Sequence, residues 1–120
     1  MKIYIKDDLT IEEVKVAFSE AFPGLKIEFV KHGHQPGQGS SKSEIITGNP
    51  KLWELRKFHT EFEIEINENQ KVEDIEGIFH NKFGLNIQLF RKSGNVWIET
   101  VHTDNWTLKE QMQRSAESQN

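Results

Sequence analysis

The chain carries one pattern twice. From Ile11 it reads I-E-E-V-K-V-A-F-S-E-A-F-P-G-L-K-I-E-F-V-K, and from Val72 it reads V-E-D-I-E-G-I-F-H-N-K-F-G-L-N-I-Q-L-F-R-K. With one gap at Pro23, Glu12 aligns with Glu73, Phe18 with Phe79, Phe22 with Phe83, Gly24 with Gly84, Leu25 with Leu85 and Ile27 with Ile87. Val14 with Ile75, Phe29 with Leu89 and Lys31 with Arg91 are conservative matches around them. The pattern reads as one supersecondary unit used twice. The question for function is then where the two copies differ.

Each copy opens on an alternating strand. Ile3 and Ile5 face one way, with Lys2, Tyr4 and Lys6 the other; Phe62, Ile64 and Ile66 repeat this against Glu61, Glu63 and Glu65. Period two marks a half-buried strand. A helix follows each. Thr10-Ile11-Glu12-Glu13 is a capping box, and Val14, Ala17, Phe18, Ala21 and Phe22 make its apolar stripe. Val72, Ile75, Ile78, Phe79 and Phe83 make the second stripe, with Glu73 and Asp74 favourable to the dipole at its start. Pro23-Gly24 and Gly84 end the helices. Strands return over Leu25 to Val30 and Leu85 to Phe90.

Beyond this point the copies part. The first runs into K-H-G-H-Q-P-G-Q-G-S-S-K-S, from Lys31 to Ser43, an aperiodic loop. A short strand is expected near Glu44 to Thr47, then a short helix capped by Asn49 with Pro50 in its first turn. In the second copy a tight turn over Ser93-Gly94 leads straight into Val96 to Val101. Asp104 is the expected cap of a last helix carrying Trp106, Leu108 and Met112. The expected architecture is α+β: a duplicated strand-helix-strand-strand unit with an approximate twofold. Its sheet is mostly antiparallel, with the two main helices on one face and a C-terminal helix added. One domain spans 1–113, divided near 1–58 and 59–113, and 114–120 is a flexible polar tail.

The chain has no cysteine, which excludes a disulfide framework and thiol chemistry and fits a cytoplasmic setting. The N-terminus has no signal-peptide core, and no run approaches the roughly 18 apolar residues of a membrane span. The net charge of -4 weakens a general nucleic-acid reading, since that affinity rests on neutralising phosphates.

Two regions attract a functional reading. The 31–43 loop holds Lys31, His32, His34 and Lys42 among glycines, a composition able to hold a phosphate, although it lacks P-loop spacing and joins two strands. His32 and His34 form an H-x-H pair, but a metal site needs a third or fourth ligand that the sequence does not supply. The second region is the outer sheet face. The tight turn places Leu89 opposite Ile98 and Phe90 opposite Trp97, with Tyr4 also outward. Arg91 and Lys92 sit at its edge, and Glu61, Glu63 and Glu65 are expected on the same face. The C-terminal helix is the alternative occupant of that face.

No catalytic constellation stands out: there is no G-x-S-x-G and no H-E-x-x-H. Neither a cofactor nor a metal is expected. The leading reading is a small non-enzymatic binding domain whose partner is a protein, a second copy included. Nucleic-acid binding through Phe90, Trp97, Tyr4 and nearby basic residues is one alternative. A small-molecule or metal-dependent enzyme using the loop as a lid is the other.

Overall fold

A computed structural model describes residues 1–32, 39 and 42–118. The elements run β1 (Lys2–Ile5), α1 (Ile11–Ala21), β2 (Leu25–Phe29), β3 (Phe62–Glu65), α2 (Val72–Phe83), β4 (Ile87–Ser93), β5 (Val96–Glu99) and α3 (Leu108–Glu117). Short 3₁₀ turns lie at Lys42–Glu44, Leu52–Leu55 and Val101–Thr103. The fold is α+β, with two antiparallel sheets: β1 pairs with β3, and β2, β4 and β5 lie side by side in that order. Among the described residues no helix is long and apolar enough to cross a membrane.

The pairing of β2 with β4 is the centre of the molecule. Ile27 lies opposite Leu89 and Phe29 opposite Ile87. All four are buried, and alternation sends Lys26, Glu28, Gln88 and Phe90 to the other side. Of the expected stripes, α1 buries Val14, Phe18 and its C-cap Phe22, together with Ile11, but leaves Ala17 half-buried and Ala21 exposed; α2 buries Val72, Ile75, Phe79 and Phe83, with Ile78 half-buried. Phe79 meets Phe29 edge-on at 6.4 Å, and Phe62 of β3 stacks on Phe83 at 4.7 Å. Ile5, Ile64 and Ile66 join the same cluster, so both sheets share one core.

Backbone bonds tie the start of each main helix to a later segment. Ile11 N–H donates to the carbonyl of Pro50 at 3.1 Å, and Val72 N–H to that of Trp106 at 3.0 Å. Leu52 N–H donates to Leu9 and Leu108 N–H to Gln70. Leu52 and Leu108 both drop into the core.

Several expectations are corrected. Ile45 forms only an isolated bridge to Val30 instead of a strand over 44–47. Asn49 does not cap its own helix: its Oδ1 accepts from Glu12 N–H at the start of α1, and the segment after Pro50 is a 3₁₀ turn. α3 is capped by Thr107 and not by Asp104, because Thr107 and Glu110 form a reciprocal capping box that leaves Trp106 outside the helix. α3 runs on to Glu117, with Ser115 buried and its hydroxyl donating to the Lys92 carbonyl at 2.7 Å.

One enclosed cation ties three segments together. The Arg56 side chain is fully buried and donates to Asp7 Oδ1 at 2.7 and 3.0 Å, to the Thr60 carbonyl at 2.9 Å and to that of Phe83 at 3.3 Å. His59 Nδ1 lies 2.8 Å from the other Asp7 oxygen. Burial pushes the Asp7 carboxyl up, but its hydrogen bonds with Arg56 and His59 and their charges outweigh this and hold it below its ordinary value.

A depressed carboxylate contributes stability above its unfolded pKa and loses it as pH falls toward the folded one. The stability gap between the parent and Asp7→Asn is therefore full above about pH 5 and shrinks below about pH 4; urea titrations across pH check this, and a gap independent of pH would contradict it. Gly84 holds the left-handed C-cap at φ 66°, and a Cβ there would meet the Phe58 ring at 2.9 Å. Gly84→Ala is expected to cost about 1–2 kcal/mol in chemical denaturation.

Candidate functional site

The hairpin after β4 sets the outer face. Ser93 pairs with Val96, so Gly94 and Asn95 form a two-residue turn with Gly94 at φ 61°. Glycine with positive φ at the first turn position, and no positive φ at Asn95, is the type II′ pattern. This moves the turn one residue from its expected place and shifts the register by two. Arg91 lies opposite Ile98, Lys92 opposite Trp97 and Phe90 opposite Glu99. Leu89 does not face Ile98, nor Phe90 Trp97. The side-chain faces survive the shift because it is even.

Phe90 and Trp97 therefore lie diagonally, and a lysine joins them. The Lys26 ammonium is 5.2 Å from the Phe90 ring centre and 4.9 Å from that of Trp97, while Lys92 lies 6.0 Å from Trp97. Lys26 also meets Glu28 at 3.4 Å, and Glu28 takes Lys15 of α1 at 3.0 Å. The ring pair already holds a cation of the chain's own, and Glu28 couples the outer face to α1. Trp97 remains 39 % exposed.

α3 does not cover this face. Arg91 follows Leu89 toward the core side, where its Nη1 donates to Gln111 Oε1 at 2.6 Å and its guanidinium lies 5.8 Å from the Trp106 ring. Burial, and then the Arg114 charge, lower its pKa from the ordinary arginine value. An apolar strand position occupied by arginine draws the C-terminal helix to that side, and on the far side the end around Trp97 stays exposed.

The remaining expected residues do not assemble there. Tyr4 is exposed, but on the separate β1–β3 sheet, as are Glu63 and Glu65. Lys31 and His32 are exposed just beyond β2, and Lys42 is exposed in a 3₁₀ turn. Val30 lies opposite Asn86 and Leu25 opposite Arg91, so Lys31 and Arg91 stand at opposite ends of the ladder, about 20 Å apart. The expected basic cluster is therefore absent. His34 lies outside the described residues. The backbone at Gly39 passes against Glu99 and Val101, which brings one point of the loop to the far end of the outer face. At that end Val30 is 2 % and Gln88 1 % exposed.

Sequence reasoning missed the groove beside Trp97. It has about 410 Å³ of open volume and is walled by Val16, Lys15 and Ser19 of α1, by Lys26 and Glu28 of β2, and by Trp97. Its α1 rim carries Glu12 and Glu20. Val16 lies off the buried stripe and is 46 % exposed. The available signal was the pairing of an exposed valine with glutamates four residues to either side.

Other chemistries find less support. Among the described residues no group of three or more His, Asp or Glu could hold a metal. The Asp7–His59 pair orients an imidazole, but among the described residues no Ser or Thr hydroxyl hydrogen-bonds to that ring.

Lys26→Ala removes the cation that the two rings share and leaves only the more distant Lys92 over Trp97. It is expected to shift the Trp97 indole resonance while changing stability by no more than about 1 kcal/mol, the scale of exposed cation–π contacts; an unmoved indole signal would contradict the placement of Lys26. Comparison with known protein families, with curated proteins and with solved structures finds no match for this chain.

Proposed function

We propose that this chain is a non-enzymatic interaction domain that holds a segment of a protein partner, a second copy of itself included, on the open face around Trp97. The cysteine-free composition supports work in a reducing compartment such as the cytoplasm. The observation that carries the reading is that two large apolar side chains, Val16 and Trp97, stand exposed on opposite walls of one groove of about 410 Å³. Exposed apolar groups gathered with a polar rim mark interaction sites more often than scattered ones do. Among the described residues no loop encloses the groove, which suits an extended or helical segment better than a small substrate.

Base stacking is the weaker reading. Lys26 and Lys92 already occupy the ring faces, Glu28 and Glu99 share the surface, and Arg91 is turned toward α3. Carboxylates on the face repel phosphate, and a stacked base would first have to displace Lys26.

A peptide-display selection against the full chain tests the proposal. Enriched peptides are expected to lose about tenfold or more in affinity on Val16→Glu and on Trp97→Ala, with circular dichroism unchanged, as for anchors at the centre of an interface. Peptides that bind both variants as well as the parent would overturn it.

A further inference from the structure

Glu12, Val16 and Glu20 are four residues apart on α1 and all three are exposed, so they form one straight stripe along the helix. The carboxylates at its ends lie about 12 Å apart along the axis. The groove beside Trp97 opens on one side of this stripe. A second groove of about 490 Å³ opens on the other, walled by Thr10, Glu13, Ala17 and Asn49. The stripe is a ridge between two furrows, the relief that a partner helix packs against.

The charges along it are not balanced. Lys15 and Lys26 both reach Glu28, at 3.0 and 3.4 Å, and Lys15 is only 3.9 Å from Glu12. Glu13 is held in the capping box with Thr10. Glu20 makes no ion pair among the described residues. The surface offers a partner this unpaired carboxylate at Glu20 and, at Glu12, one that shares Lys15 with the closer Glu28, with Val16 between them and Trp97 beside it.

The second copy does not repeat this. Its matched positions are Glu73, Gly77 and Asn81, and a Cβ at Gly77 would meet nothing closer than the Asn81 amide at 3.9 Å. α2 therefore has no apolar residue at the centre and no charge at the far end. The fold itself does not require the stripe, because the equivalent helix packs without it.

We infer that the partner segment is a basic amphipathic helix, with an apolar residue flanked four positions to each side by Lys or Arg, lying along α1. Its apolar residue packs between Val16 and Trp97, and its cations meet Glu12 and Glu20. This rests on the proposed interaction at Val16 and Trp97 and adds the chemistry of what binds there.

The test uses the full chain and two alanine-based helical peptides, one with Lys, Leu and Lys at four-residue spacing and one with Glu, Leu and Glu. Amide resonances of α1 are followed during titration. The Lys peptide is expected to shift Glu12, Val16, Glu20 and Trp97, and the Glu peptide to leave them unmoved. Glu12→Lys with Glu20→Lys is expected to weaken the Lys peptide about tenfold and to let the Glu peptide bind. Glu12→Gln with Glu20→Gln gives the same loss without reversal and serves if the first variant does not fold. Equal binding of both peptides, or no binding of either, overturns the inference. If display-selected peptides still depend on Val16 and Trp97 but carry no basic residues, the interaction domain stands and only its basic partner is refuted.

Discussion

The register between β2 and β4 is the constraint from which the rest of the molecule follows. Ile27 against Leu89 and Phe29 against Ile87 put four buried side chains on one face, where Phe79 closes over Phe29. A one-residue slip of β2 against β4 would send Lys26 and Glu28 into the core. The same pairing delivers Phe90 and Lys26 side by side on the outer face, so core and candidate site are two sides of one ladder. The hairpin to β5 adds Trp97 to that face, and Glu28 joins it to α1 through Lys15.

Which side of the sheet the last helix takes is decided by one residue that breaks the pattern. Arg91 occupies a core-side position opposite Leu25, where an uncompensated cation would be costly. Gln111 and Trp106 receive it, Ser115 closes the edge at Gly24, and Leu108 anchors the helix in the core. α3 is thus drawn to the core side by hydrogen bonds and a cation–π contact as much as by apolar packing. In consequence the outer face keeps an exposed tryptophan, and the functional proposal depends on that exposure.

Much of the fold was legible in the sequence, because it is written in short-range periodicity. The stripes of α1 and α2, the Thr10 cap, the left-handed Gly84 and the buried strand positions all depend on spacing within a few residues. The errors arose where two local signals competed. Asn49-Pro50 resembles a helix start, yet the Asn49 side chain serves the neighbouring α1. Asp104 and Thr107 are both good caps, and Glu110 decides for Thr107. A Ser93-Gly94 turn and a Gly94-Asn95 turn differ by one residue, and only the full hairpin discriminates between them. The site was less legible for a different reason. Lys31 and Arg91 align in the two similar stretches of sequence, but antiparallel pairing sends them to opposite ends of the ladder. The groove needs α1 beside the edge of β2, a long-range fact that no local spacing encodes.

The account stands or falls on Trp97 being a surface residue held by Lys26 rather than part of the core. The most direct measurement is the unfolding free energy of Trp97→Glu by chemical denaturation. A carboxylate there has Lys26 and Lys92 for neighbours. The account predicts a folded protein within about 1 kcal/mol of the parent. A loss of about 3 kcal/mol or more, the scale of truncating a buried aromatic, would place Trp97 in the interior and leave the groove without one of its walls.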